Sequence, residues 1–98
     1  MPNRNYQAGV RFERQRKKHW EEAGYVVIRA AGSHGFADLV AFATAHDAVY
    51  TIQCKRVATV AQAKRLLKNF ATGEPRYGYK QCMEVYVKQT REVMSVVI

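Results

Sequence analysis

The sequence lacks any long hydrophobic run, a secretory signal and a cysteine framework. No segment approaches the roughly 20 consecutive apolar residues that a membrane-spanning helix needs, and residues 1–6 contain no apolar core of a signal peptide. The only cysteines, Cys54 and Cys82, have neither CxxC nor Cys/His ligand spacing. We therefore expect a soluble protein of a reducing cytoplasm, without a membrane partner.

Acidic residues are also scarce. Eight Asp and Glu stand against 16 Lys and Arg, which gives a net charge of +8 over 98 residues. Such an excess favours a polyanionic partner, and because no basic helix carries a broad apolar face for a membrane surface, nucleic acid is the favoured one. A chain this short forms one compact domain, 1–98, with a thin core, and we expect a homodimer to cover part of it.

Hydrophobic periodicity and turn residues predict seven elements. A proline-free helical segment over 5–23 ends at Gly24, and a second helix, capped by Thr59, runs to Thr72 before Gly73. Five apolar or β-branched runs predict strands over 25–31, 38–43, 49–55, 82–87 and 93–97. The order αβββαββ indicates an α/β domain with a central mixed five-stranded sheet flanked by helices, whose strand order the pattern does not determine.

Strand alternation places two polar side chains on one face of the third strand. Gln53 and Lys55 are two residues apart and share a face, whereas the Cys54 thiol between them points away, as a core thiol would. If the second and third strands form an antiparallel hairpin centred near His46, opposite residues have numbers that sum to about 92, and Asp38 lies across from residues 53–55. A carboxylate, an amide oxygen and an ammonium together suit a hard, oxygen-liganded cation beside a phosphate.

The first helix contributes a further acidic candidate. Gly9, Glu13, Arg16 and Trp20 follow one helix face, and Trp20 marks that face as the inward one. A carboxylate on an inward face is costly unless it is paired or bound to metal. Glu13 is therefore either a ligand or the partner of an arginine such as Arg29.

Each of these residues has a simpler interpretation when it is taken alone. Gln53 and Lys55 would be a solvated strand end, Asp38 would be a turn residue, and Glu13 would belong to a helix surface. Only their convergence on one place predicts a functional site.

Four short motifs match a known family in order and spacing. They are Gly9-Val-Arg-Phe-Glu-Arg14, Gly24-Tyr-Val-Val-Ile-Arg-Ala-Ala-Gly-Ser33, Ala37-Asp-Leu-Val-Ala41 and Ile52-Gln-Cys-Lys55. Over residues 9–55 the sequence resembles the archaeal-type Holliday junction resolvases of the PD-(D/E)xK nuclease superfamily, which have a restriction-endonuclease-like fold. Beyond residue 55 no signature extends the resemblance.

The resemblance implies a metal-dependent nuclease site. In that family the helix-one glutamate, the strand-two aspartate and an acid-x-lysine motif bind divalent metal and activate water, and these roles fall on Glu13, Asp38, Gln53 and Lys55. The implied cofactor is Mg²⁺, with Mn²⁺ able to substitute, and the backbone carbonyl of Cys54 would be a further ligand. A serine in the loop after strand one contributes to cleavage or phosphate contact, and Ser33 occupies that position.

Two positions depart from the family pattern. Ala37 replaces a proline, which changes only the local stiffness of the backbone. Gln53 replaces the usual glutamate, which removes one negative charge but keeps a carbonyl oxygen able to ligate a hard cation. Weaker metal binding is the expected consequence, and loss of catalysis is the alternative.

The resemblance implies a structure-selective DNA endonuclease of recombination and repair, prokaryotic or viral and acting on DNA in the cytoplasm, that leaves 5′-phosphate and 3′-hydroxyl ends. Junction choice would come from shape, and a twofold dimer would match the two symmetric strands of a four-way junction. The alternatives are a nuclease of other branched or linear DNA and a non-catalytic nucleic-acid-binding module. The predicted DNA contacts, each also explicable as solvated surface, are Arg4, Arg11, Arg14, Arg29, Ser33, His34, Lys64 and Lys68.

Overall fold

The chain folds as a five-stranded sheet with one helix on each face. The computed structural model describes residues 4–30, 37–43, 45, 48–73 and 79–98, with only the backbone of residues 4 and 5. The helices are α1 (Arg4–Glu22) and α2 (Val60–Ala71). The strands are β1 (Tyr25–Arg29), β2 (Leu39–Ala43), β3 (Val49–Val57), β4 (Lys80–Val87) and β5 (Glu92–Val97).

The predicted helix boundaries follow from local chemistry. Gly24 follows α1 with a φ of 99°, a left-handed conformation in which glycine is favoured because it has no Cβ. Thr59 and Gln62 form a capping box at the start of α2, in which the Thr59 side chain accepts from the Gln62 backbone N–H and the Gln62 side chain accepts from that of Thr59. These contacts satisfy backbone donors that would otherwise lack partners.

The strand order is β1-β2-β3-β4-β5, which the sequence pattern did not determine. β1, β2 and β3 form an antiparallel meander, α2 then crosses over to β4, and β4 pairs in parallel with β3 from Tyr50↔Lys80 to Val57↔Val87. β5 returns antiparallel to β4. The sheet is therefore mixed, because the helical crossover permits one parallel pair, and the predicted α/β class is confirmed.

The two faces of the sheet bury separate clusters. On the α1 face, the cluster of Val27, Leu39, Ala41, Ile52 and Cys82 packs with Trp20 of the helix. On the α2 face, Ala63 of the helix packs with residues of β4, and leucines of α2 with residues of β5 complete the layer. Neither described helix covers the face of β1 and β2 on the α2 side, and the apolar side chains of Val26, Ile28 and Phe42 are exposed there in the described part of the chain.

Strand ends differ from prediction by up to two residues. β1 ends at Arg29 rather than at residue 31, and β2 begins at Leu39, so Asp38 precedes the strand. β3 and β4 each extend two residues beyond the prediction, to Val57 and back to Lys80, because their parallel pairing covers both extensions. In the described part of the chain, neither helix is both long and apolar enough to cross a membrane.

Candidate active site

Asp38 is fixed at the start of β2 by three hydrogen bonds. Its backbone N–H donates to the Ile52 carbonyl (2.9 Å), and its own carbonyl accepts from the Ala30 N–H (2.9 Å). Its carboxylate Oδ2 accepts from the backbone N–H of Cys54 at 2.8 Å. The half-buried carboxylate is thereby held against the edge of β3, which confirms the predicted neighbourhood of Asp38 and residues 53–55.

The C-terminal half of β3 runs past the last paired residue of β2. The register pairs Leu39 with Ile52, so Asp38 stands opposite Gln53, and no described strand pairs with β3 beyond that point on this side. Because alternate residues direct their backbone groups to the same edge, the Cys54 carbonyl points towards the Asp38 side. Lys55, exposed, shares its face with half-buried Gln53.

Glu13 lies on α1 and pairs with Arg29 of β1. The Arg29 Nε donates to the Glu13 Oε1 at 2.9 Å, and both side chains are largely buried. Of the two roles that sequence left open for Glu13, the arginine pair is present. The residue after Arg29, Ala30, donates its backbone N–H to the Asp38 carbonyl. The Glu13–Arg29 ion pair therefore lies next to Asp38.

Burial and nearby carboxylates raise the pKa of the Cys54 thiol. Burial raises its pKa most strongly, and the carboxylates of Glu84, Asp38 and Glu13 raise it further, while Arg16 opposes them. The thiol packs against the α1-face core and stays protonated at neutral pH. Cys54 therefore offers the site its backbone and not a thiolate, as its alternation on β3 predicted.

A buried polar cluster beneath α1 was not predicted. Glu84 of β4, 4% exposed, accepts two hydrogen bonds from Arg16, at 2.8 and 3.0 Å, and one from the Trp20 indole N–H at 3.3 Å. The Glu84 hydrogen bond and charge raise the pKa of Arg16, while burial opposes them. The available signal was a single acidic residue within the apolar strand 82–87, which requires a buried partner.

The predicted DNA-contacting residues fall into two surfaces. Arg11, Arg14 and Arg29 line one cavity of about 380 Å³ beside the N-terminal half of α1. Lys64 and Lys68 lie exposed on α2, on another part of the molecule. Ser33, His34 and the Arg4 side chain lie outside the described residues.

The donor set of this region suits a hard cation only in part. Among the described residues, no three His, Cys, Asp or Glu side chains come together as a metal-binding group. The oxygens available are the Asp38 carboxylate, the Gln53 amide, the Cys54 carbonyl and the Glu13 carboxylate, and all are ligands of the kind that Mg²⁺ accepts. Gln53 contributes an amide and not a carboxylate to this set.

Comparison with known proteins identifies the family. The family model described as "Archaeal holliday junction resolvase (hjc)" matches residues 4–69, which is more than half of the chain and includes α1, β1, β2, β3 and most of α2. The chain belongs to this family.

A solved member of the Hjc family shares the fold. The 1.6 Å structure of Archaeoglobus fulgidus Hjc, a Holliday junction resolvase from an archaeal hyperthermophile, superposes with a TM-score of 0.56 at 26% sequence identity. The match covers 82% of this chain and 65% of the Archaeoglobus chain. No curated protein matches the sequence. The resemblance that sequence motifs indicated over residues 9–55 is thereby confirmed.

Proposed function

We propose that this chain is a metal-dependent DNA endonuclease that resolves four-way junctions and leaves 5′-phosphate and 3′-hydroxyl ends. Membership of the Hjc family supports the substrate class. The observation that carries the chemistry is the Asp38 carboxylate, held at 2.8 Å from the backbone of Cys54 beside Gln53 and Lys55. We take residues 1–98 as one nuclease domain.

Mg²⁺ is the proposed cofactor, with Mn²⁺ able to substitute. Asp38, the Gln53 amide oxygen and the Cys54 carbonyl would hold it, with Glu13 as a further ligand directly or through water. When bound, the ion supplies positive charge that stabilises the negative charge developing on the transferring phosphate. The Glu13 carboxylate would bind the ion while it also accepts the hydrogen bond from Arg29.

The remaining side chains position water and phosphate. Lys55, which shares a face with Gln53, would orient the attacking water, and the charge of its ammonium would favour loss of a proton from that water to solvent. Attack in line on phosphorus then breaks the bond to the 3′ oxygen, which takes up a proton from solvent and leaves as a hydroxyl. Ser33 and His34 would contact phosphate near the cleaved bond, and Arg11, Arg14 and Arg29 would hold the neighbouring backbone, a role that their shared cavity supports.

A homodimer is part of the proposal. Resolution requires two symmetric cuts, and a twofold dimer presents two equivalent sites to two symmetric strands. The uncovered apolar side chains of Val26, Ile28 and Phe42, which are 54%, 55% and 38% exposed, are consistent with burial against a second copy. Light scattering of the purified protein would show a mass of two chains.

A non-catalytic nucleic-acid-binding module is the second candidate. The amide at Gln53 and the charge of +8 favour it, because a site with fewer carboxylates binds metal more weakly while the basic surface still binds DNA. A nuclease of other branched or linear DNA is the third, because one fold and one metal site serve many substrates.

A cleavage comparison separates these candidates. A synthetic four-way junction and a linear duplex of the same sequence are each incubated with the protein in Mg²⁺ and in EDTA. The proposal expects cleavage of the junction alone, and only in Mg²⁺. Equal cleavage of both DNAs would assign a different substrate, and tight junction binding without cutting would assign the non-catalytic module.

A further inference from the structure

A second cavity adjoins the candidate active site on the opposite side of α1 from the Arg11–Arg29 cavity. It has a volume of about 410 Å³ and lies between the N-terminal half of α1, the C-terminal end of β3 and the residue that follows β4. Of the described residues that line it, three are cationic, Lys55, Arg56 and Lys88, and none is acidic. Lys55 belongs to both the cavity and the candidate active site.

The Lys88 side of the cavity is held in place by backbone hydrogen bonds. The N–H of Lys88 donates to the Val57 carbonyl and that of Gln89 donates to the Ala58 carbonyl, each at 3.0 Å. The Gln89 side-chain oxygen accepts from the Val60 N–H at 3.1 Å. The turn after β4 is therefore fixed against the junction of β3 and α2, and the backbone of Lys88 is held at the rim of the cavity.

Arg56 is also held in place. Its guanidinium lies over the Tyr86 ring at 5.5 Å from the centroid, and its backbone N–H points to the same edge of β3 as that of Cys54. A smaller cavity of about 220 Å³, lined in part by Arg11, Arg56 and Tyr86, continues the surface across α1. Positive charge thus continues from Lys88 past Arg56 to α1.

The α1 wall of the cavity is uncharged and open. Phe12 is buried there, and a Cβ added at Gly9 would meet no atom within 4 Å. A glycine in the middle of a helix is otherwise unfavourable, by about 1 kcal/mol relative to alanine. The missing side chain leaves room for a ligand between Gly9 and the cations.

We propose that this cavity binds the sugar–phosphate backbone of the DNA strand next to the phosphate that is cut, with Lys88 as its main phosphate contact. The inference rests on the proposed function for the choice of DNA as ligand. The phosphate that is cut would then lie beside Asp38, and the next one would lie towards Arg56 and Lys88. The N-terminal half of α1 would lie under the strand, with basic residues on both sides of it.

The binding test compares Lys88→Glu and Lys88→Ala with Lys80→Glu and Lys80→Ala. Lys80 is an exposed lysine at the opposite end of β4, so its substitutions make the same charge changes outside the cavity. Fluorescence anisotropy of a labelled junction in Ca²⁺, without Mg²⁺, measures affinity at several salt concentrations. For Lys88→Ala we expect several-fold weaker binding and a salt slope smaller by about 0.9, the value of one phosphate contact, with Lys88→Arg restoring both.

A second variant tests the shape of the cavity without changing charge. Gly9→Leu projects a side chain into the open space and raises helix propensity, so we expect unchanged or higher thermal stability with weaker DNA binding. Single-turnover cleavage at saturating protein should stay near the parent rate for Lys80→Ala, because Lys80 lies outside both the cavity and the candidate active site. Parent-like affinity in both Lys88→Glu and Gly9→Leu would overturn the inference.

The outcomes also separate this inference from the proposed nuclease. If Lys88→Glu and Lys80→Glu weaken DNA binding equally, the effect is one of general charge, and the proposal that the cavity binds DNA is overturned. A parent protein that binds junctions through Lys88 but does not cut them would refute the nuclease and leave the cavity intact. An RNA junction bound more tightly than the DNA junction, with the same Lys88 dependence, would overturn the choice of DNA.

Discussion

The Asp38 carboxylate accepts a hydrogen bond of 2.8 Å from the backbone N–H of Cys54. This bond continues the contact between the two strands past the start of β2, since Leu39, the first residue of β2, pairs with Ile52 and β3 runs on beyond that pair. It fixes one carboxylate oxygen against the backbone of Cys54 and holds the aspartate at the edge of β3, next to Gln53 and Lys55 in the strand. The same residue thus serves the fold and the candidate metal site.

Replacement of Asp38 should separate these two contributions. In Asp38→Ala the N–H of Cys54 loses its acceptor, and we expect the free energy of unfolding to fall by about 1–3 kcal/mol. Asp38→Asn keeps an oxygen acceptor of the same shape, so its loss should be clearly smaller. Denaturant unfolding of both variants measures the difference, and equal losses would show that the hydrogen bond does not stabilise the fold.

Gln53→Glu should strengthen metal binding. A carboxylate in place of the amide adds a negative charge beside Asp38, and ligand charge sets the affinity of oxygen sites for divalent cations. We expect the Mg²⁺ concentration for half-maximal cleavage to fall by about tenfold, and calorimetry to show tighter Mn²⁺ binding without DNA.

Gln62→Glu is the control for this substitution. Gln62 is exposed at the start of α2, so it makes the same charge change away from the site. An unchanged metal requirement in Gln53→Glu, or an equal change in Gln62→Glu, would remove Gln53 from the ligand set.

Glu84→Gln should cost much more stability than a similar change on the surface. The Glu84 and Arg16 side chains are 5% and 16% exposed, so loss of the glutamate charge leaves a buried guanidinium without its counter-charge. We expect a loss of about 3–5 kcal/mol. Glu21→Gln breaks the exposed pair of Lys17 and Glu21 and should cost under about 1 kcal/mol. Urea unfolding measures the free energy of unfolding of both variants, and similar losses would show that the buried Arg16–Glu84 pair contributes no more stability than the exposed Lys17–Glu21 pair.

Alkaline pH should destabilise the protein partly through its buried thiols. Burial raises the pKa of Cys82 from 9.0 to about 12, and that of Cys54 is raised as well. Because the pKa is higher in the folded state, the thiol of the unfolded chain loses its proton first as pH rises. The contribution of the thiol to the free energy of unfolding is therefore fully present below pH 9 and is lost as pH rises towards 12. We expect each thiol to contribute a slope of about 1.4 kcal/mol per pH unit in this window.

The Cys82→Ala variant isolates the contribution of that thiol. Between pH 9 and 10.5 its free energy of unfolding should fall less steeply than that of the parent, although its stability at pH 7 is lower because of the cavity. Parallel slopes for the two proteins would show that the Cys82 thiol ionises equally easily in the folded and unfolded chains.

Local features made much of the fold and site predictable. The helix ends at Gly24 and Thr59 depend on nearest neighbours in the chain, and so does the β2–β3 hairpin, whose short connection limits its register. The predicted sum of opposite residue numbers was about 92, and the observed pairs such as Val40↔Thr51 differ from it by one. That accuracy was enough to bring Asp38 opposite Gln53.

Contacts that depend on the crossover could not be predicted. The parallel register Cys54↔Glu84 places the Glu84 carboxylate under α1, where Arg16 and Trp20 bind it across more than 60 positions of sequence. Lys88 reaches the cavity for the same reason, through the pairing of Val57 with Val87. A periodic pattern shows which residues of a strand share a face, but not which strand lies beside it.

The most direct test of the account is single-turnover cleavage of a four-way junction by the parent chain and by Asp38→Asn, each in Mg²⁺ and in EDTA. The parent is expected to cut in Mg²⁺ only. Asp38→Asn, which keeps the bond to Cys54, should bind the junction as the parent does but cut at least about a hundredfold more slowly, because it loses a charge that positions the cation. Cleavage by Asp38→Asn at the parent rate, or cleavage by the parent in EDTA, would contradict the assignment of a metal-dependent site at Asp38.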